Sequence, residues 1–238
     1  MSHAVLLPGL DGTGALLESF AQSLGKVLAC TTISYPAKFA SSYVELERIA
    51  LAALPAEEPY ILIGESFSGP IAISLAAKAP PNMKGLVLCA TFARSPIPLR
   101  RLFAPFVRYA PTHLPMFVLR HLLLGKWATS SIEQTLATAL AEIPAEVLRK
   151  RVGEVLKVDV SNQLSSIKIP VMYLQAAQDR LISSSASEYL HRVNPVIKMV
   201  SVDGPHFLLQ TAPENCIEKI SKFAKEVGLQ PTNSSAIS

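Results

Sequence analysis

The stretch YILIGESFSGPIAISLAAKAP, Tyr60 to Pro80, holds an apolar strand-like run, Tyr60–Ile63, that stops at Gly64. After a serine-rich corner the pattern becomes helical, with Ile71, Ile73, Leu75 and Ala76 available for a buried side. Ser66 stands at the junction, between small residues, where a plain turn would favour asparagine, aspartate or proline. One reading is a serine N-cap that satisfies a helix terminus. The other is a hydroxyl presented for chemistry, which requires a base to take its proton and donors to hold the developing oxyanion.

Outward from this corner, short apolar runs alternate with helical patterns. Strands are predicted at Val5–Leu7, Val27–Tyr35, Tyr60–Ile63, Leu86–Ala90, Val171–Leu174 and Ile197–Val202. Helices are predicted at Gly14–Leu24, Tyr43–Ala53, after Ser66, at Ser185–Val193 and at Glu214–Val227. Such alternation implies right-handed crossovers and a parallel sheet covered on both faces, the α/β class. Between about Ser95 and Lys168 it stops, and helical periodicity takes over, with a helix start marked by Ser131 ahead of Glu133 and Gln134. The chain therefore divides into a core, 1–94 and 169–227, an inserted segment, 95–168, and a frayed tail, 228–238. The insertion is either a second layer of core helices or a cap over a site at the sheet edge.

Hydrophobic residues make up 50% and charged residues 17%, which excludes a disordered chain. The net charge of +4 comes without a Lys/Arg run, so no nucleic-acid groove is expected. Cys30, Cys89 and Cys216 are an odd number in mostly apolar settings, read as free thiols of a reducing cytosol, and no metal-ligand spacing is present. MSHAVLLPG lacks a basic start and a long apolar core, so no signal peptide is expected. The apolar stretch LPMFVLRHLLLG is broken by Arg120 and His121, too early for a membrane span. A cytoplasmic location is the expectation.

Gly64-Glu65-Ser66-Phe67-Ser68-Gly69 resembles the nucleophile elbow, G-x-S-x-G, of the α/β-hydrolases, with Ser68 in place of the second glycine and Gly69 adjoining. The steric demand there is smallness, which serine meets. Leu6-Leu7-Pro8-Gly9-Leu10-Asp11-Gly12-Thr13-Gly14 meets neither P-loop nor dinucleotide spacing. It stands where that family has its oxyanion loop. The resemblance then implies backbone N–H donors at Leu10 and Phe67.

Of five histidines, His3 is terminal, His113 and His121 lie in the insertion, and His191 sits in a helical pattern. His206 follows the last strand in Val202-Asp203-Gly204-Pro205-His206, where glycine and proline force a loop and where the resemblance puts the base. Among four aspartates, Asp159 reads as a cap or a lysine partner, and Asp203 is too near His206 to approach its ring across one short loop. Asp179, in the loop after the penultimate strand, holds the family's acid position. The order Ser66, Asp179, His206 is that of α/β-hydrolases.

The resemblance covers residues 3 to 227 and implies an α/β-hydrolase fold with a minimal parallel sheet of about six strands and a helical cap. It also implies a serine esterase that cleaves carboxylic esters or acyl-thioesters through an acyl-enzyme, without a cofactor. Phe103, Phe106 and Phe117 are candidates for an apolar acyl pocket, with packing in a core as the alternative. Two relatives of that chemistry are an acyltransferase, in which an alcohol replaces water, and a carrier-protein thioesterase. In the second, Arg100, Arg101, Arg108, Arg120, Lys126, Arg149, Lys150 and Arg151 would meet an acidic acyl carrier protein, unless they form a solvated helix face. A different class is a ligand-binding signalling receptor that keeps the three residues intact.

Overall fold

The computed structural model describes residues 2–97 and 114–230. Six strands form one sheet, every neighbouring pair parallel: β1 (His3–Leu7), β2 (Ala29–Thr32), β3 (Tyr60–Glu65), β4 (Met83–Cys89), β5 (Val171–Ala176) and β6 (Lys198–Val202). Their order is β2-β1-β3-β4-β5-β6, so β3 runs through the interior between β1 and β4. The helices used below are α1 (Glu18–Gly25), α2 (Tyr43–Ala52), α3 (Gly69–Ala77), α4 (Ser130–Ala141), α5 (Ala145–Lys157), α6 (Ser161–Ser166), α7 (Ser184–Val193) and α8 (Pro213–Glu226). The expected six-stranded α/β sheet is the observed one.

The continuous apolar run of β3 follows from covering both faces, since alternate side chains enter different cores. Tyr60 and Leu62 join Leu7, Leu86, Leu88 and Tyr173 under α2, α3 and α7. Ile61 and Ile63 join Leu6, Val87, Met172 and Leu174 under α1 and α8. Each such aliphatic side chain contributes about 1.5–3 kcal/mol on burial, so a one-residue slip of β3 would misplace several at once. Gly64, at its end, lies inside the fold because α3 crosses there. A Cβ on Gly64 would sit 2.7 Å from that of Ala72.

Local chemistry moved some element ends. Residue 14 does not begin a regular helix: Gly14 has φ +83° and Ala15–Leu17 form a 3-10 turn before α1. The strand expected over Val27–Tyr35 is shorter, because Tyr35 N–H leaves the ladder for Gly12 C=O at 2.7 Å. The start of α4 is fixed by Thr129 rather than Ser131, its hydroxyl accepting Ile132 N–H at 3.3 Å.

The inserted segment leaves and rejoins the core at a narrow neck. Ser95 N–H donates to Val158 C=O at 3.0 Å and Val160 N–H to Ala93 C=O at 2.8 Å, around an antiparallel bridge between Arg94 and Asp159. Residues 161–166, grouped with the insertion by sequence, form α6 on the core side of this neck, packed on α3 and α7. Within the insertion, a helical turn at Met116–Leu119 runs into a π-helical turn at Arg120–Leu124. Leu123 C=O there accepts the N–H of Phe207 at 3.0 Å, which ties the segment to the loop after β6. No helix among the described residues is long and apolar enough to cross a membrane.

Candidate active site

Ser66 leaves β3 with φ +46°, a left-handed conformation that a side-chain-bearing residue adopts only at a cost of about 1–3 kcal/mol. The turn is over-determined by its surroundings. Ser66 C=O accepts both Gly69 N–H and the Thr91 hydroxyl. Thr91 is itself fixed by Tyr173, whose OH donates to Thr91 C=O at 3.0 Å and accepts Thr91 N–H at 3.2 Å. Gly69 must be glycine because a Cβ there would fall 1.9 Å from Thr91 Oγ1.

Ser68 accounts for the departure from a second glycine. It is fully buried; Tyr35 OH donates to its Oγ at 2.7 Å, and its own proton goes to Pro8 C=O. A glycine would leave that carbonyl, at the head of the loop after β1, without this donor. Phe67 is buried beside it, its ring stacked on Tyr43 at 4.7 Å, while Tyr43 OH donates to Phe67 C=O at 2.9 Å. Phe67 N–H falls in the first helical turn, where backbone donors have no intrahelical partner. Neither it nor Leu10 N–H has an acceptor among the described residues.

The loops at the ends of β5 and β6 bring the other two residues to Ser66. His206 is 2% exposed; its Nε2 lies 2.8 Å from Ser66 Oγ and its Nδ1 2.8 Å from Asp179 Oδ2. With Asp179 accepting at Nδ1–H, Nε2 is left as the acceptor for the serine proton. The second oxygen of Asp179 accepts Leu181 N–H and Ile182 N–H, each at 2.8 Å. The two loops are laced together: Gln178 N–H donates to Gly204 C=O and Gly204 N–H to Gln178 Oε1, both at 2.9 Å. The rival aspartates are occupied elsewhere or exposed. Asp159 Oδ1 accepts Ser161 N–H at the start of α6, and Asp203 is exposed to solvent.

Glu65, next to Ser66, was not singled out by sequence. It is 4% exposed and accepts Gln210 Nε2 at 2.9 Å, with Gly9 close by. Burial pushes its carboxyl up to about 7, partly opposed by the Gln210 hydrogen bond and the nearby His206. Gln210 Oε1 has no partner among the described residues, so a reversed amide can accept a proton from Glu65 instead. An unfolded chain ionises this carboxyl near the ordinary value and the folded chain only through about pH 7. The resulting stability is therefore fully present below pH ~4.5 and lost as pH rises through ~7, about 3 kcal/mol in all. Melting temperature measured from pH 4.5 to 8 is expected to show this decline in wild type and not in Glu65→Gln. Parallel curves would refute the assignment.

Among the candidate pocket residues, Phe103 and Phe106 lie outside the described residues. Phe117 is 73% exposed on the Met116–Leu119 turn, which rules out core packing for it. The basic residues expected on a cap surface behave differently. Arg151 is buried at 1% exposure, Arg120 pairs with Glu133 at 3.3 Å and Lys150 with Glu154 at 3.1 Å, while Arg100, Arg101 and Arg108 lie outside the described residues. Arg151, Arg120 and Lys150 are thus engaged within the chain itself, and nothing among the described residues supports an acidic carrier protein as a partner.

Comparison with known proteins gives a consistent picture. The family described as serine aminopeptidase, S33, matches residues 37–202. A protein of Azorhizobium caulinodans bearing the name carbamate hydrolase RutD is 26% identical over 173 residues, covering 69% of this chain and 65% of that protein. The chain thus spans just under two thirds of that relative's length. A lipase-esterase related protein from Clostridium acetobutylicum superposes with a TM-score of 0.78 at 18% identity, over 93% of this chain and 94% of the other. The enol-lactonase from Burkholderia xenovorans does so with a TM-score of 0.78 at 15% identity, over 94% and 91%. Those two likenesses are of fold.

Proposed function

Because the chain belongs to the serine aminopeptidase, S33, family of α/β-hydrolases, we propose that it is a serine hydrolase of small carboxylic esters that works through an acyl-enzyme. The observation that carries this reading is the unbroken hydrogen-bonded line Ser66 Oγ–His206 Nε2, His206 Nδ1–Asp179 Oδ2, with the serine on a strained elbow. Ser66 Oγ attacks the acyl carbonyl as its proton passes to His206 Nε2, and Asp179 stabilises the imidazolium. Leu10 N–H and Phe67 N–H receive the oxyanion of the tetrahedral intermediate. His206 then returns the proton to the leaving alcohol, and a water activated by the same imidazole releases the acid. The names borne by relatives extend the acyl group to carbamates and lactones, whose carbonyls the same line of residues could attack.

The acyl group is proposed to lie against Phe103, Phe106 and Phe117 of the insertion. Support comes from the tie between Leu123 and Phe207, next to His206, and from the exposure of Phe117. The test is a chain-length series of nitrophenyl esters, with thioester, lactone and carbamate analogues alongside. Repeated turnover with an optimum in acyl length is expected, since a methylene in an apolar pocket is worth ~1–3 kcal/mol. Phe117→Ala should shift that optimum to longer chains while the melting temperature stays near wild type. A single stoichiometric burst would favour the receptor reading, transfer to added alcohols the acyltransferase. No turnover of any acyl substrate would sink the proposal.

A further inference from the structure

Helix α5 belongs to the insertion, yet two of its side chains reach the backbone that the proposed reaction depends on. Arg151 is among the most deeply buried large side chains of the protein. Its Nη1 donates to Leu10 C=O at 2.9 Å and to Asp11 C=O, and its Nη2 to Pro36 C=O at 3.2 Å. The loop is shaped for this approach: Gly12 has φ +69°, and a Cβ there would lie 2.6 Å from Arg151 Nη1. A buried guanidinium needs such compensation. Here it comes from three carbonyls and from the nearby charge of Asp11, itself buried and engaged by Thr13 N–H and Thr13 Oγ1.

Glu154, three residues on and so on the same helical face, accepts Tyr43 N–H at 3.1 Å. Tyr43 in turn stacks on Phe67 and holds its carbonyl. One face of α5 therefore braces the Leu10 loop directly and the Phe67 turn through Tyr43. Ahead of Leu10 in the same loop, Ser68 holds Pro8 C=O and Gly9 lies against the Glu65 carboxyl, where a Cβ would fall 3.6 Å from Oε2. Leu10 N–H lies between these two sets of anchors.

We propose that Arg151 and Glu154 are positioning residues for the oxyanion hole, so that the seating of the inserted helix sets the rate of the chemical step. This rests on the serine-hydrolase reading above. An oxyanion donor only a fraction of an ångström out of place loses much of its effect, because preorganisation is what makes it strong. The guanidinium spreads its donors over two nitrogens, Nη1 to Leu10 and Asp11 C=O and Nη2 to Pro36 C=O, a span that the compact ammonium of a lysine covers only in part.

The experiment compares wild type, Arg151→Lys, Arg151→Met and Glu154→Ala on the best ester. For each it also measures the affinity of a trifluoromethyl ketone, whose adduct mimics the tetrahedral oxyanion. Arg151→Met is expected to lower kcat by ~10²–10³-fold, the size of a lost oxyanion donor. KM should change little, ketone affinity should fall in step with kcat, and Arg151→Lys should recover part of both. Glu154→Ala, which leaves the guanidinium in place, should lower kcat and ketone affinity together by ~5-fold, one hydrogen bond's worth. It decides the matter if Arg151→Met does not fold. Folded variants with wild-type kcat and ketone affinity, or with KM alone changed, overturn the proposal. Failure of the wild-type chain to turn over any acyl substrate overturns the reading beneath it as well.

Discussion

Ser66→Ala is expected to lower kcat by at least ~10³-fold and towards ~10⁶-fold, with the fold intact. The loss is large because the hydroxyl supplies the bond-forming atom, and the remaining residues provide only binding and charge stabilisation. The fold should survive because, among the described residues, the Ser66 side chain is hydrogen-bonded only to His206, while its carbonyl keeps Gly69 and Thr91. Ser66→Gly separates chemistry from strain. It should be as inactive as the alanine variant and more stable by ~1 kcal/mol, since glycine adopts φ +46° without the steric cost. In a chain of this size that is about 2–4 °C in melting temperature. A serine-directed phosphonate should label Ser66 in wild type and nothing in either variant. Label at Ser68, which is buried and doubly hydrogen-bonded, or near-wild-type kcat in Ser66→Ala would overturn the assignment.

The features of this site readable from sequence were those with a local signature. Periodicity exposed the strand–turn–helix around Ser66, and glycine with proline exposed the loop of His206. Asp159 could be set aside as a cap or a lysine partner, and its Oδ1 accepts Ser161 N–H in the first turn of α6. What escaped notice was set by tertiary placement. Arg151 looks like any basic residue in LRKRVGEVL, because its acceptors are backbone carbonyls 115 to 141 residues away and carbonyls leave no mark in a sequence. Glu65 is polar in a strand whose neighbours are apolar, and its burial depends on Gln210 and Gly9 arriving from two other loops. Ser68 read as a mild departure from a glycine motif. Its hydroxyl is instead a link between the elbow and Pro8, visible only once Tyr35 is known to stand behind it. Each of these three acts on the same loop, which is why the loop's own sequence says so little about how it is held.

Asp179→Asn is the sharper test of the site, because the local backbone dictates how the new amide must sit. Leu181 N–H and Ile182 N–H both point at Oδ1 of Asp179. An asparagine must therefore give them its carbonyl oxygen and turn its NH₂ towards His206 Nδ1, 2.8 Å away from the oxygen it replaces. The ring can accept that donor only by carrying its proton on Nε2. Nε2 would then donate to Ser66 Oγ when it should accept from it, and the serine loses its base. A loss of ~10⁴-fold in kcat is expected, the size seen when the same exchange is made in a serine-protease triad. KM should change little, as no contact to substrate is removed. Asp203→Asn, at an exposed position with no hydrogen bond to His206, should stay within ~2-fold of wild type. The reverse ranking would transfer the acid's role to Asp203. Equal, small effects from both would mean that His206 keeps its tautomer without a carboxylate, and the proposed mechanism would fail at that step.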